Sequence, residues 1–209
     1  MLVAAMKARQ TGFTLIELMI TIVLVALILG LGVPSFVEFS RNNRMTGAAN
    51  DLLADLNLAR TESVKRHVAV TVCASNDPMA ATPACAGTAV TSFAGWIVFV
   101  DDANPDVAAA TDGDAAFDAG AGETLLRRHP LLPTGTTAKS DTGFITYAPS
   151  GFPTAVGGVS SATRVVICDS RGNKAVAAGN SAARGISVSV TGRAGITRSA
   201  ADITSLGGC

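Results

Sequence analysis

Apolar side chains form a nearly unbroken run close to the start of the chain, from Phe13 to Val33. Glu17 is the only ionisable residue in this run, and nearly all the others are apolar or glycine. A stretch of about 20 such residues is long enough to cross a bilayer as a helix. The pattern therefore predicts a transmembrane helix over residues 13–33 with one carboxylate inside it, which costs at least about 2.5 kcal/mol unless it has a partner.

A different helical pattern follows the apolar run. Pro34 predicts a kink or a local loosening, because proline interrupts the hydrogen-bond ladder of a helix. Apolar residues then recur at three- and four-residue spacing at Met45, Ala49, Leu52, Leu56 and Ala59. Charged residues fall mostly elsewhere around the helix, at Arg41, Arg44, Asp51, Asp55, Arg60 and Glu62. This indicates an amphipathic continuation over residues 34–66, whose apolar stripe packs on a globular domain.

The period changes again after residue 66. Valines alternate with small or polar residues over 68–73, and residues 95–100 form a continuous β-prone run. Further strands are expected at 143–148, 163–168 and 183–190, with a short last strand at 195–198, and turn-forming residues lie between them. The prediction is an α+β fold in which the long N-terminal helix packs on an antiparallel β-sheet within one β-rich domain, residues 67–209. Residues 103–122 are interpreted as a surface loop.

Charge is unevenly distributed, although the formal net charge is zero. Seven acids and no base lie between Asp101 and Glu123, whereas six bases and two acids follow from Arg164 onward, a net charge of +4. Such a basic region can attract polyanions, and a merely solvated surface is the alternative.

The acidic stretch also has a partial likeness to a calcium loop. Asp102, Asn104 and Asp106 alternate as at the start of an EF-hand, but Val107 stands where the loop needs glycine and Gly113 where it needs glutamate. A partial cage of oxygen ligands and a solvated loop both remain open.

Four cysteines, Cys73, Cys85, Cys168 and Cys209, follow the apolar run. An oxidising compartment would favour disulfides, for which three pairings exist. We prefer Cys73 with Cys85, which closes a short loop, and Cys168 with Cys209, which ties down the terminal tail. Zinc is the competing interpretation, but there is no C-x-x-C pair, and the two histidines are isolated. We expect no metal site.

Catalytic chemistry has little support in the sequence. His67 and His129 are far apart, the serines are scattered, and no glycine-rich phosphate loop joins a strand to a helix. We therefore expect neither an enzyme nor a cofactor.

The stretch Gly12-Phe13-Thr14-Leu15-Ile16-Glu17 resembles the class III signal of type IV pilins and type II secretion pseudopilins. The resemblance implies that residues 1–12 are a leader peptide, that a prepilin peptidase cuts after Gly12, and that Phe13 becomes N-methylated. Cleavage would place an ammonium group four residues from Glu17. In the family this glutamate neutralises the terminal amine of a neighbouring subunit as the filament assembles, which relieves two buried charges.

Two plainer interpretations of the N-terminal region are a simple signal anchor and a secretory signal peptide. The latter would use Lys7 and Arg9 as its basic region and be cut after Gly32. Neither explains Glu17, and the apolar region of a signal peptide is usually about 7–15 residues long, shorter than this run.

Several internal segments resemble the FimT/GspH family, namely residues 50–62, 95–101, 123–127 and 167–172. The resemblance implies a minor pilin of a type IV pilus or a pseudopilin of a type II secretion system. Such a protein is held in the bacterial inner membrane by one pass, has its C-terminal domain in the periplasm, and assembles with other pilins.

DNA-binding members of this family share a C-terminal G-R-x-R motif, which implies DNA as an alternative partner. Here the motif reads Gly192-Arg193-Ala194-Gly195, so its second arginine is replaced by glycine. Arg198 lies three residues beyond, and Arg184 and Lys174 could widen a phosphate-binding patch for DNA uptake in natural transformation. Binding of this kind would be independent of sequence and sensitive to salt. Ordinary strand-end arginines are the alternative.

Overall fold

The computed structural model describes residues 12–101 and 113–209. Lys7 and Arg9 lie outside the described residues, and so does the calcium hypothesis on Asp102, Asn104 and Asp106. The chain divides into a first unit that ends at Arg41 and a second unit, Asn42–Cys209.

One long helix, α1 (Leu15–Arg66), contains both helical patterns of the sequence. Pro34 lies inside α1 without ending it, and the Ser35 hydroxyl donates to the Leu31 carbonyl oxygen at 3.2 Å. The helix ends before His67, whose φ of 58° places it in the left-handed region. A left-handed residue just after the last turn is a common helix terminator.

The apolar stripe of α1 is buried in the core of the second unit. Met45, Ala49, Leu52, Leu56 and Ala59 are all buried, which confirms the amphipathic prediction. They form one cluster with buried side chains from two β-sheets. Burying one large apolar side chain contributes about 1.5–3 kcal/mol, so the stripe is a main source of stability.

Within the described residues, ten strands and a short second α-helix follow α1. They are β1 (Val70–Ser75), β2 (Ser92–Phe93), β3 (Gly95–Val100), β4 (Thr124–His129), β5 (Thr137–Ser140), β6 (Phe144–Tyr147), β7 (Pro153–Thr154), β8 (Arg164–Cys168), β9 (Asn180–Val188), β10 (Ala194–Ser199) and α2 (Ala200–Ser205). The predictions for β1, β3, β6, β8, β9 and β10 are confirmed to within three residues.

The strands form two five-stranded sheets, not the single sheet expected from the sequence. One has the order β4-β3-β1-β6-β7 and the other β10-β9-β8-β5-β2, and all their pairings are antiparallel. The sequence did not predict β4 and β5, because β4 is a half-exposed edge with adjacent bases and β5 is short and polar.

The first sheet is covered on both faces. Every residue of β1 is buried, as Val70, Val72 and Ala74 join the cluster with α1, whereas Cys73 belongs to a second cluster on the other face. This second cluster includes Ala115 from the segment that precedes β4. Burial of this second face of the first sheet therefore depends on the conformation of residues 113–118.

Candidate functional site

The Gly12-Phe13 junction lies directly before a capped helix start. The Thr14 hydroxyl accepts a hydrogen bond from the Glu17 backbone amide at 3.2 Å and also lies 3.5 Å from Glu17 Oε2. Threonine followed three residues later by glutamate is the spacing of a capping box. Glu17 therefore also takes part in fixing where α1 begins.

The apolar segment of α1 is exposed throughout. In length and composition α1 could cross a membrane, and none of its most apolar window is buried. Within residues 12–101 and 113–209, no basic side chain forms an ion pair with Glu17. In the described chain this apolar surface is uncovered, and the Glu17 carboxylate has the Thr14 hydroxyl but no opposite charge as a partner.

The four cysteines form two disulfides, Cys73–Cys85 and Cys168–Cys209. These are the pairs preferred from the sequence. The first spans 12 residues and the second spans 41. Loop-closure entropy assigns them about 3 and about 4 kcal/mol of stabilisation. The second bridge also ties the last residue to β8.

A buried carboxylate links α1 to the first sheet. Asp55 Oδ2 accepts a hydrogen bond from the Trp96 indole nitrogen at 2.7 Å, and Oδ1 accepts from Arg127 Nη1 at 2.7 Å. The Asp55 hydrogen bond is also the main cause of a raised pKa at Arg127. The expectation that Asp55 lies away from the apolar stripe is wrong. Its spacing of three residues from Leu52 and four from Ala59 puts it on that stripe, and its two partners make burial tolerable.

Arg184 is not available to a phosphate, which corrects the sequence prediction. It is 1% exposed, within β9. Its guanidinium donates to the Ala182 and Ala183 carbonyl oxygens at 2.8 and 3.1 Å and to the Thr46 hydroxyl at 3.3 Å. Burial, together with other arginine charges, lowers the pKa of Arg184 to about 10. Arg184 therefore joins β9 to α1 inside the core.

The three other predicted DNA contacts, Lys174, Arg193 and Arg198, are exposed. Arg193 lies just before β10, and Arg198 lies near its other end. Five residues of strand span about 16 Å, so these two bases do not form an adjacent pair. Lys174 lies near the start of β9, since Ala175 bridges to Ser181.

Gly192 of the broken G-R-x-R motif has a structural role. Its φ is 80°, and a Cβ at this position would collide with the Gly151 carbonyl oxygen. The Arg60 side chain of α1 donates to the carbonyl oxygens of Gly151 and Thr191, at 3.1 and 2.9 Å. The β9–β10 turn is therefore fixed to α1 by the Arg60 side chain, and the close approach of Gly192 to the Gly151 backbone accounts for the glycine without a ligand.

Two carboxyl groups are buried together at one end of the β3–β4 pair. Val100 pairs with Thr124, so Asp101 and Glu123 are the next residues outward on the two sides. Asp101 is 0% exposed and Glu123 is 7% exposed. Burial raises the pKa of Asp101 to about 6 and that of Glu123 to about 7, and the charge of Asp101 adds to the rise at Glu123.

Only one oxygen of each of these carboxyls is hydrogen-bonded among the described residues. Asp101 Oδ2 accepts from the Thr71 hydroxyl at 2.6 Å and from the Ala115 amide at 3.1 Å. Glu123 Oε2 accepts from the Asp118 amide at 2.6 Å. Asp101 Oδ1 and Glu123 Oε1 are buried without a partner there. In the sequence, Asp101 and Glu123 stand at the two ends of the acidic stretch and within two segments that resemble the FimT/GspH family, but nothing there shows that they lie side by side.

Two family profiles match the chain. The profile described as type II transport protein GspH matches residues 48–192, more than half of the chain. The chain belongs to the GspH family. A second profile, the prokaryotic N-terminal methylation motif, matches residues 7–33 of this GspH-family protein. The GspH match extends from the buried stripe of α1 to Gly192, whereas the methylation motif covers the exposed apolar segment. No curated protein matches the chain.

Two crystal structures of the type IV minor pilin FimU from Pseudomonas aeruginosa strain PAO1 are similar to this GspH-family chain. The structure in space group P21 is 21% identical, with 76% of this chain and 92% of FimU covered and a TM-score of 0.45. For the structure in space group P65 the identity is 21%, the coverage 73% and 91%, and the TM-score 0.42.

Proposed function

We propose that this protein is a minor pilin or pseudopilin, a structural subunit assembled through α1 into a type IV pilus or a type II secretion pseudopilus. The observation that carries the proposal is the exposed apolar segment of α1, whose Glu17 has no ionic partner in the described chain. Neighbouring helices in a filament would cover such a surface. A terminal ammonium group of a neighbouring subunit would neutralise the Glu17 carboxylate.

Processing by a prepilin peptidase would create that ammonium group. The methylation motif matched at residues 7–33 supports cleavage between Gly12 and Phe13 with N-methylation of Phe13. A Cβ placed on Gly12 would have nothing within 4 Å. The fold of the described chain therefore does not require glycine at position 12. If cleavage requires glycine there, the requirement comes from the peptidase.

The disulfides support a location for the globular domain. Two disulfides in one small domain favour an oxidising compartment. We therefore place the C-terminal domain in the bacterial periplasm, with α1 as a single pass in the inner membrane before assembly.

Intact-mass and N-terminal analysis of membrane-extracted protein tests the processing step. The expected chain begins at N-methylated Phe13, and Gly12→Phe should retain the leader. A mature chain beginning at Val33 would instead identify a secretory signal peptide and overturn the proposal.

A matched pair of variants tests the role of the Glu17 charge. Glu17→Ala removes both the charge and the cap contact, whereas Glu17→Gln removes only the charge, because glutamine also serves in a capping box. Both variants should be cleaved and both should be impaired in filament incorporation. Normal incorporation of Glu17→Gln would refute charge neutralisation.

DNA uptake stays a prediction from the sequence. With Arg184 buried, it depends on Arg193, Arg198 and Lys174, which are exposed. Arg198 and Lys174 both lie near the start of β9, whereas Arg193 lies at the other end of β10. A gel shift with duplex DNA at rising salt would separate it from a purely structural role.

A further inference from the structure

We propose that Asp101 and Glu123 form a binding site for a hard divalent cation of the calcium class. The two carboxyls lie across from each other at the end of the β3–β4 pair, and each has a buried oxygen without a partner among the described residues. The inference is independent of the proposed assembly function, since it uses no residue of the apolar segment.

Nothing in the described chain balances the charge of this pair. The charged groups that act on it are acids, because Asp114 acts on both carboxyls and Asp118 acts on Glu123. The neighbouring strands contribute hydroxyls, namely Thr71 from β1, which lies 2.6 Å from Thr146 of β6. Burying an unpaired charge is costly, so the pair requires either a cation or a proton.

The backbone holds both carboxyls in place. Amides of one short segment, residues 115–118, donate to the second oxygen of each: Ala115 to Asp101 and Asp118 to Glu123. Ala115 adopts a φ of 60°, which is uncommon for a residue other than glycine. It is also buried in the outer cluster of the first sheet. Ala115 thus adopts an uncommon backbone conformation while its amide donates to Asp101, and Asp101 Oδ1 and Glu123 Oε1 stay without a partner among the described residues.

The donor set indicates which cation would bind. Carboxylate oxygens are the ligands that calcium prefers, and calcium takes about 6–8 oxygens in a flexible shell. No group of three or more His, Cys, Asp or Glu side chains in the described residues could hold a metal ion. Asp101 and Glu123 would therefore supply two carboxylates, and water would complete the shell. So few charged ligands predict weak binding, with a Kd of about 10⁻⁴–10⁻³ M, as in extracellular calcium modules.

A bound cation would stabilise residues 115–118, which pack against the first sheet on the face turned away from α1. The segment that is bonded to Asp101 and Glu123 also places Ala115 over Cys73, Ile97 and Phe99. Thermal unfolding of the full chain in detergent, in calcium-free buffer at pH 8, measures this effect. Calcium chloride at ten times its Kd should raise the Tm by about 3–6 °C. Sodium chloride of equal ionic strength should not raise it.

Two variants locate the effect. Glu123→Gln should abolish the calcium-dependent rise in Tm, whereas Asp77→Asn should retain it, because Asp77 is an exposed acid outside the site. A calcium response that Glu123→Gln keeps would overturn the proposal. If Glu123→Gln does not fold, equilibrium dialysis of the wild-type chain decides instead. One calcium ion bound per chain is expected, and no binding at 5 mM calcium would refute the site.

A shared proton is the competing way to neutralise the pair, and it has a different signature. Both carboxyls have folded-state pKa values above those of the unfolded chain. Protonation would therefore stabilise the protein at low pH, and this stability would be lost as the pH rises from about 4 to about 7. Such a loss, absent in Glu123→Gln and not restored by calcium, would assign the pair to a proton and overturn the cation site.

Discussion

The buried Asp55 carboxylate gives a direct measure of what fixes α1 to the first sheet. Asp55→Ala leaves the Trp96 indole N–H without its acceptor and removes the partner of Arg127. A hydrogen bond to a charged acceptor contributes about 1.5–3 kcal/mol. The Arg127 ion pair adds less than about 1 kcal/mol, since that side chain is 54% exposed. We therefore expect Asp55→Ala to lower the free energy of unfolding by about 2–4 kcal/mol.

Urea unfolding of the intact chain in detergent, followed by fluorescence, measures this loss. Trp96 is the only tryptophan of the chain, so its emission reports on the hydrogen bond itself. Asp51→Ala is the matched control, because Asp51 lies one turn earlier on α1, is 61% exposed, and contacts His129 only at 3.5 Å. It should cost less than about 0.5 kcal/mol. Equal effects of the two substitutions would refute the assignment of stability to the buried network.

Two further predictions concern the bridges and the β9–β10 turn. Non-reducing peptide mapping should join Cys73 to Cys85 and Cys168 to Cys209, and replacing the second pair by serine should lower the free energy of unfolding by about 4 kcal/mol; free or crossed cysteines would contradict the assignment. Gly192→Ala should destabilise the chain by at least about 2 kcal/mol in the same urea assay, because of its positive φ and the collision with the Gly151 carbonyl oxygen. The control Gly195→Ala has nothing within 4 Å of the added Cβ and should be close to neutral, so equal losses at the two glycines would exclude the close approach as the cause.

Apolar periodicity was sufficient to predict the helix and most of the strands. The stripe from Met45 to Ala59 is buried, and the valine-rich and aromatic runs form β1, β3 and β8. These elements can be predicted because their buried residues recur at the spacing of a helix or a strand. The strands β4 and β5 carry no such repeat, since β4 is an edge strand and β5 is short and polar. For this reason β4 in the first sheet and β5 in the second were not predicted.

Charged residues were the less predictable part of the chain. A periodic pattern predicts that a charged side chain lies on the surface. The hydrogen-bond and ion-pair partners that allow such a side chain to be buried lie far away in sequence, so the pattern does not reveal them. Trp96 is 41 residues from Asp55, and Thr46 is 138 residues from Arg184. The basic residues after Arg164 were therefore grouped by charge alone, although Arg184 lies in the core. In the same way, Asp101 and Glu123 could not be separated from the other acids around them without the β3–β4 register.

Among the described residues, the charged residues that are buried as a whole are Asp55, Asp101, Glu123 and Arg184. The side chains of Arg171 and Asp169 are also little exposed, and they pair with each other. Asp55 is balanced by Arg127, and the guanidinium of Arg184 is surrounded by carbonyl and hydroxyl oxygens. Within residues 12–101 and 113–209, Asp101 and Glu123 have neither an opposite charge nor a full set of donors, and this imbalance is the reason for proposing a cation. The partners of Asp55 therefore bear on the cation site as well. Arg127→Leu, measured by urea unfolding, leaves the buried Asp55 carboxylate without its counter-charge. If this substitution costs more than about 1 kcal/mol, the value of an exposed ion pair, unbalanced buried charge is costly in this domain and the Asp101 and Glu123 pair requires neutralisation. If Arg127→Leu proves nearly neutral, the argument for a cation at Asp101 and Glu123 loses its energetic basis.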